Sequence, residues 1–208
     1  MDKLKRLFVF NKKVFVFLFC LMIIGIIFGS SLPVFLNSDD KSLVSQYLSD
    51  FIVQVKSGCD SLFLLRNGLS NNGIFSFSIW LLGISIIGIP IVLFLFFFKC
   101  FIFGFSISSI IINYGFKGIL FSFFYIFPHQ VINLVIYMLI TNYSLIFSFK
   151  IIGLIFKKND FNISVSFNKY LKIFLVCLIF LFMSVLYESF VGPYVLSFIF
   201  KLLGLWFT

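Results

Sequence analysis

A chain of 208 residues that is 62% hydrophobic and only 11% charged is not a soluble globular domain. Folding at this size hides only part of the apolar surface, and its continuous apolar runs exceed the roughly 20 residues that cross a bilayer core. The net charge of +9 raises nucleic-acid binding, but the lysines and arginines gather at the borders of apolar runs, where they orient a membrane protein; nucleic acid is excluded as a partner and membrane lipid is the expected surrounding.

The basic start (Lys3, Lys5, Arg6, Lys12, Lys13) leads into an uncharged run from Val14 to Leu36. That run is longer than the apolar core of a cleaved signal peptide, so it reads as an uncleaved signal anchor and first span. Gly25 and Gly29 form a GxxxG step that allows close contact with another helix. Residues 37–73 are the one long polar segment. Within it, "SDDKSLVSQYLSDFIVQV" opens with residues that cap and charge a helix start. Val44, Leu48, Phe51 and Val55 then repeat at helical spacing, with Leu43, Tyr47 and Ile52 beside them, while Asp50, Gln54 and Lys56 fall on other faces. The pattern predicts an amphipathic helix that lies on the membrane, docks on the bundle or offers a partner-binding surface that extends to Asp60.

Residues 74–114 hold Lys99 as their single charge and are long enough for two spans, 74–93 and 94–114. The turn between them falls either near "GIP" (Gly88 to Pro90) or at Lys99. "NYGFKG" is the next turn. Ile119 to Phe127 is too short to cross a membrane, and Pro128 then removes an amide donor and clashes with the preceding turn. The expectation is a half-helix, a break at Pro128, and a full span over 129–149. A basic, Asn-rich connection from Lys150 to Lys172 precedes the last span, 171–191, and an interfacial tail that ends near Trp206. The fold class is therefore all-α: a polytopic membrane bundle of one domain with five spans and an outer amphipathic helix.

With the N-terminus in the cytoplasm, the cytoplasmic segments together with Lys99 hold eleven basic and two acidic residues, and the opposite side holds five of each. That asymmetry follows the positive-inside rule and places the C-terminus outside. Cys20, Cys59, Cys100 and Cys177 form no CxxC pair, and neither a zinc site nor a disulfide framework is expected.

His129, Asn133, Tyr137, Thr141, Ser144 and Ser148 line one face of the fourth span, at steps of 4, 4, 4, 3 and 4. Lipid penalises such a face, so it must turn toward other helices or a wet cavity. It reads as an interhelical hydrogen-bond seam or, alternatively, as the lining of a solute path in a transporter or permease-like subunit. Glu188 is the other intramembrane ionisable group and a possible partner of His129. A single histidine with no carboxylate at helical spacing gives no acid–base pair, and no metal set, P-loop, G-x-S-x-G or dinucleotide fingerprint is present. No catalytic residue, metal or cofactor is expected.

The order of "IIGIIFGS", "LSDFIVQVKSG", "LLGISIIGIPIVLFLFFFKCFIFGFSI" and the "PHQ" step resembles the stage II sporulation protein M family of multi-pass membrane proteins. Many members carry a Pro-His-Gly step with a Glu three residues on; here Gln130 and Asn133 stand at those two positions, which moves the segment toward a structural role. The resemblance implies a non-enzymatic scaffold of engulfment that holds an amidase/endopeptidase and a lytic transglycosylase, both peptidoglycan hydrolases, at the septal membrane. On that reading the outer segment, with Asp50, Gln54, Lys56 and Asp60, is the docking surface.

Overall fold

α1 (Lys12–Phe35) shows how the bundle meets its surroundings. Ile23, Ile27 and Phe28 are exposed while Leu18 is fully buried, so apolar side chains face both hydrocarbon and a protein neighbour. The structure is a computed structural model that describes residues 12–56, 61–157 and 163–195, and every element among them is helical.

α2 (Ser38–Lys56) begins two residues after α1. Asp39 and Asp40 lie in its first turn, where the helix dipole favours negative charge, and Lys41 Nζ reaches back to donate to the Val34 carbonyl at 3.3 Å. Val44 and Leu48 are half-buried, whereas Leu43, Tyr47 and Val53 are exposed.

α3 (Ser61–Leu82) is one continuous helix, so the expected border between a polar segment and a span at residue 73 does not exist. It ends in a turn over residues 83–87, ahead of the Gly88–Pro90 step. This corrects the 74–93 and 94–114 division. Pro90 sits in the first turn of α4 (Gly88–Phe121), where a missing amide hydrogen breaks no bond, and Lys99 lies mid-helix rather than at a turn.

Inside α4 the backbone at Gly115 takes φ 59° and ψ −136°, a conformation that side chains with a Cβ resist. The chain reverses there, and Gly118 comes to rest against the Ile110 carbonyl. The "NYGFKG" turn is therefore present, but the break expected at Pro128 is not. A π-helical turn, Ser122–Ile126, joins α4 to α5 (Phe127–Lys157) without interruption, with the Phe127 amide donating to the Ser122 carbonyl. Wider five-residue bonding opens the turn just before Pro128, which makes room for the ring and absorbs the missing donor.

α6 (Ile163–Leu186) continues through a second π-helical turn, Tyr187–Val191, to Val195. The expected Lys150–Lys172 connection is mostly helix, because α5 runs to Lys157 and α6 starts at Ile163. Among the described residues, three stretches are long and apolar enough to cross a membrane: Lys12–Phe35, Gly88–Ile155 and Ile163–Val195. The middle one doubles back at Gly115. The molecule is an all-α membrane bundle.

The closest helix contact joins α1 and α4, which run in the same direction. Gly29 faces the Phe101 carbonyl and Gly104 faces the Ile26 carbonyl, so near that a methyl group at either place would overlap backbone. Ser108 Oγ donates across to the Ser30 carbonyl at 2.7 Å. Small residues at such seams let dispersion and polar contacts replace a hydrophobic drive that lipid cannot provide. Gly104→Leu is expected to lower unfolding free energy by about 3 kcal/mol or more, above the usual cost of an overpacked site. Gly153→Leu, which would meet nothing within 4 Å, should stay near wild type. Equal unfolding curves for the two variants in a detergent titration would show that the α1–α4 contact does not hold the fold.

Candidate functional site

The polar face of α5 points into the bundle along its whole length. His129, Asn133, Tyr137, Thr141, Ser144 and Ser148 are all buried, with Tyr137, Thr141 and Ser144 wholly so. α3 and α6 cover them. Tyr137 Oη donates to Asn72 Oδ1 at 2.6 Å. Ser144 Oγ lies 3.3 Å from the Ile79 carbonyl and 2.7 Å from Tyr170 Oη. Ser148 Oγ donates to the Gly83 carbonyl at 2.6 Å, and Tyr170 Oη to the Trp80 carbonyl at 2.7 Å. The inner half of the face is thus a seam that ties α5 to α3 and α6. Tyr170 is further held by stacking on Phe147, with centroids 4.8 Å apart, and on Trp80, at 5.8 Å.

Bonding along the face is incomplete. Asn133 Oδ1, Thr141 Oγ1 and both polar atoms of the neighbouring Asn142 are buried with no hydrogen-bond partner among the described residues. A buried amide or hydroxyl without a partner costs about 1–3 kcal/mol. These groups are spread along the face, with Thr141 and Asn142 between Tyr137 and Ser144.

The charged end of the face is built from four helices, α3, α4, α5 and α6. His129 Nε2 stands 3.6 Å from Glu188 Oε1, an ion-pair distance. The His129 Nδ1 lies 2.9 Å from the Tyr125 carbonyl, and Ser184 Oγ donates to the His129 carbonyl at 3.4 Å. On the α3 side, a Cβ at Gly68 would lie 3.9 Å from Glu188 Oε2. Lys99 enters from α4: its Nζ sits 4.8 Å above the Phe75 ring and 5.4 Å above the Tyr137 ring, within electrostatic reach of the Glu188 carboxylate. The π-helical turns flank this group. One ends three residues before His129 and the other contains Glu188. Each also carries a buried serine hydroxyl, Ser122 or Ser189, with no partner among the described residues.

Of the residues singled out in the sequence, the α5 face and Glu188 come together. Asp50 does not; it is exposed on α2, away from that face. The side chains of Gln54 and Lys56, and all of Asp60, Cys59, Lys201 and Trp206, lie outside the described residues. Lys99, Asn72, Tyr170 and Asn142 were missed. Lys99 carried the clearest signal, a charge in the middle of an apolar run, which marks a buried partner as readily as a turn. Tyr170 was hidden because its segment reads as a basic connection. Among the described residues no group of three or more His, Cys, Asp or Glu side chains is placed to hold a metal ion. Tyr137→Phe should cost about 0.6–1.7 kcal/mol, the measured range for interhelical bonds in membranes. Combining it with Asn72→Ala should give a total well short of the two single effects; strict additivity in unfolding titrations would show that the Tyr137–Asn72 bond contributes nothing.

No curated protein and no solved structure matches the chain. The family model described as Stage II sporulation protein M matches residues 14–193, which spans α1 through the second π-helical turn and nearly all of the chain. With helices of membrane-crossing length and a family match of that extent, the chain belongs to the stage II sporulation protein M family.

Proposed function

We propose that this protein is a non-enzymatic membrane scaffold of sporulation engulfment, which recruits or anchors peptidoglycan hydrolases at the septal membrane. The observation that carries the reading is the family match over residues 14–193. The structure adds support through α2, a helix that presents Leu43, Tyr47 and Val53 to its surroundings beside Asp39, Asp40 and Asp50. An exposed apolar row on an amphipathic helix suits a partner surface or a membrane surface.

The threading that goes with this function has five passes, α1, α3, α4, α5 and α6, with the N-terminus in the cytoplasm. Parallel contact of α1 with α4, and of α3 with α5, is consistent with alternate passes. Removing Lys99 from the cytoplasmic set leaves ten basic and two acidic residues there, so the charge asymmetry persists. In that orientation α2 and the His129–Glu188 end face the compartment where wall hydrolases act.

The transporter reading draws less support. Tyr137, Ser144 and Ser148 are engaged by Asn72 and by carbonyls of α3, so the inner half of the polar face is closed rather than open to a solute.

Crosslinking and pull-down from sporulating cells tests the scaffold. Wild type should recover an amidase/endopeptidase and a lytic transglycosylase, and Asp50→Lys combined with Asp60→Lys should reduce recovery by about tenfold, the effect of losing about 1.4 kcal/mol. Alanine at His129, Asn133 and Thr141 should leave recovery unchanged in folded protein. If no wall hydrolase accompanies the wild-type protein, the scaffold role fails.

A further inference from the structure

The His129–Glu188 contact contains a question of proton count. The neutral imidazole has one N–H and one lone pair, on different nitrogens. Nδ1 lies 2.9 Å from the Tyr125 carbonyl, which can only accept, so the imidazole hydrogen belongs on Nδ1. Flipping the ring would set carbon atoms against both oxygens. In the neutral ring Nε2 therefore presents a lone pair to Glu188 Oε1 at 3.6 Å. An ionised carboxylate has only lone pairs to offer in return.

We propose that the His129–Glu188 pair is a proton-binding site, and that its bound proton clasps the outer end of α6 to α5. With the proton present, either the imidazolium Nε2–H or the carboxyl O–H bridges the two side chains. When the proton leaves to solvent, two acceptors face each other in a low-dielectric setting and the clasp opens. Glu188 is the entry: its side chain is 28% exposed, against 4% for His129.

The surroundings concentrate the effect on this one proton. From α4, Lys99 is held over Phe75 and Tyr137, within electrostatic reach of the carboxylate. From α3, the uncharged Gly68 lies beside the carboxylate, and Arg66 is exposed. The π-helical turn before α5 contributes Tyr125, whose ring is 5.8 Å from the imidazole, and α5 contributes Tyr137. α6 contributes Ser184, which binds the His129 backbone, and Glu188 alone as a charge. The parts that must move are π-helical, with looser bonding than α-helix, and they pack together: the Tyr125 ring lies against Gly192. Loss of the shared proton removes the N–H or O–H that joins the two side chains, so the clasp should be shut in acid and open in alkali.

The full chain in phospholipid nanodiscs, with its native cysteines replaced by alanine, can carry spin labels at the exposed positions Ile132 and Phe190. Pulsed EPR should show one short α5–α6 distance near pH 5 and a second, longer population growing toward pH 8. Because His129 is the only histidine, labelled-histidine NMR reports it alone, and its titration midpoint should coincide with the midpoint of the distance change. Glu188→Gln and His129→Gln each supply an amide N–H that replaces the shared proton. Both variants should keep the short distance at every pH. An unchanged wild-type distance across the range, or a pH-dependent opening that survives in either folded variant, would overturn the proposal.

Discussion

The polar face of α5 cannot be left against hydrocarbon, and the arrangement of the other helices follows from that. Six polar side chains in register along one helix require neighbours that can accept and donate. α3 answers with carbonyls at Ile79 and Gly83 and with the amide of Asn72. α6 answers with Tyr170, Ser184 and Glu188. The α5 face thus fixes the direction and depth of both helices, and the apolar core of Ile79, Ile140, Cys177 and Leu181 fills the space that remains.

Charge is concentrated at one end of this seam. Lys99 and Glu188 reach the same region from helices far apart in sequence, and His129 stands 3.6 Å from the Glu188 carboxylate. A lone ammonium among apolar helices is costly, whereas one seated over two aromatic rings and near a carboxylate is compensated. Irregular backbone collects at the same level. Both π-helical turns, and both buried serine hydroxyls within them, border the His129–Glu188 pair. Irregular helical backbone and ionisable side chains therefore meet at one end of the bundle.

α1 packs on α4 through backbone-to-glycine contacts, and its Leu18 shares one apolar core with Tyr137 and Ile140 of α5. α2 then extends from its end and exposes Leu43, Tyr47 and Val53. Division of labour between a glycine-packed anchor and a polar seam leaves α2 available for contacts beyond the bundle.

Composition and periodicity determined the helical membrane class, the reversal at "NYGFKG", the amphipathic character of the segment after α1, and the inward direction of the α5 face. These properties are local: each rests on run length, turn chemistry or side chains within one helix. The tertiary structure decided the rest. Pro128 looked like a break because its own turn forbids regular bonding, yet the preceding five residues shifted to π-helical bonding and kept the helix whole. Lys99 looked like a turn residue because an isolated charge seeks water, yet Phe75, Tyr137 and Glu188 provide for it inside the bundle. Partners contributed by other helices change the cost of a buried charge or a missing donor, and no pattern along a single segment contains them.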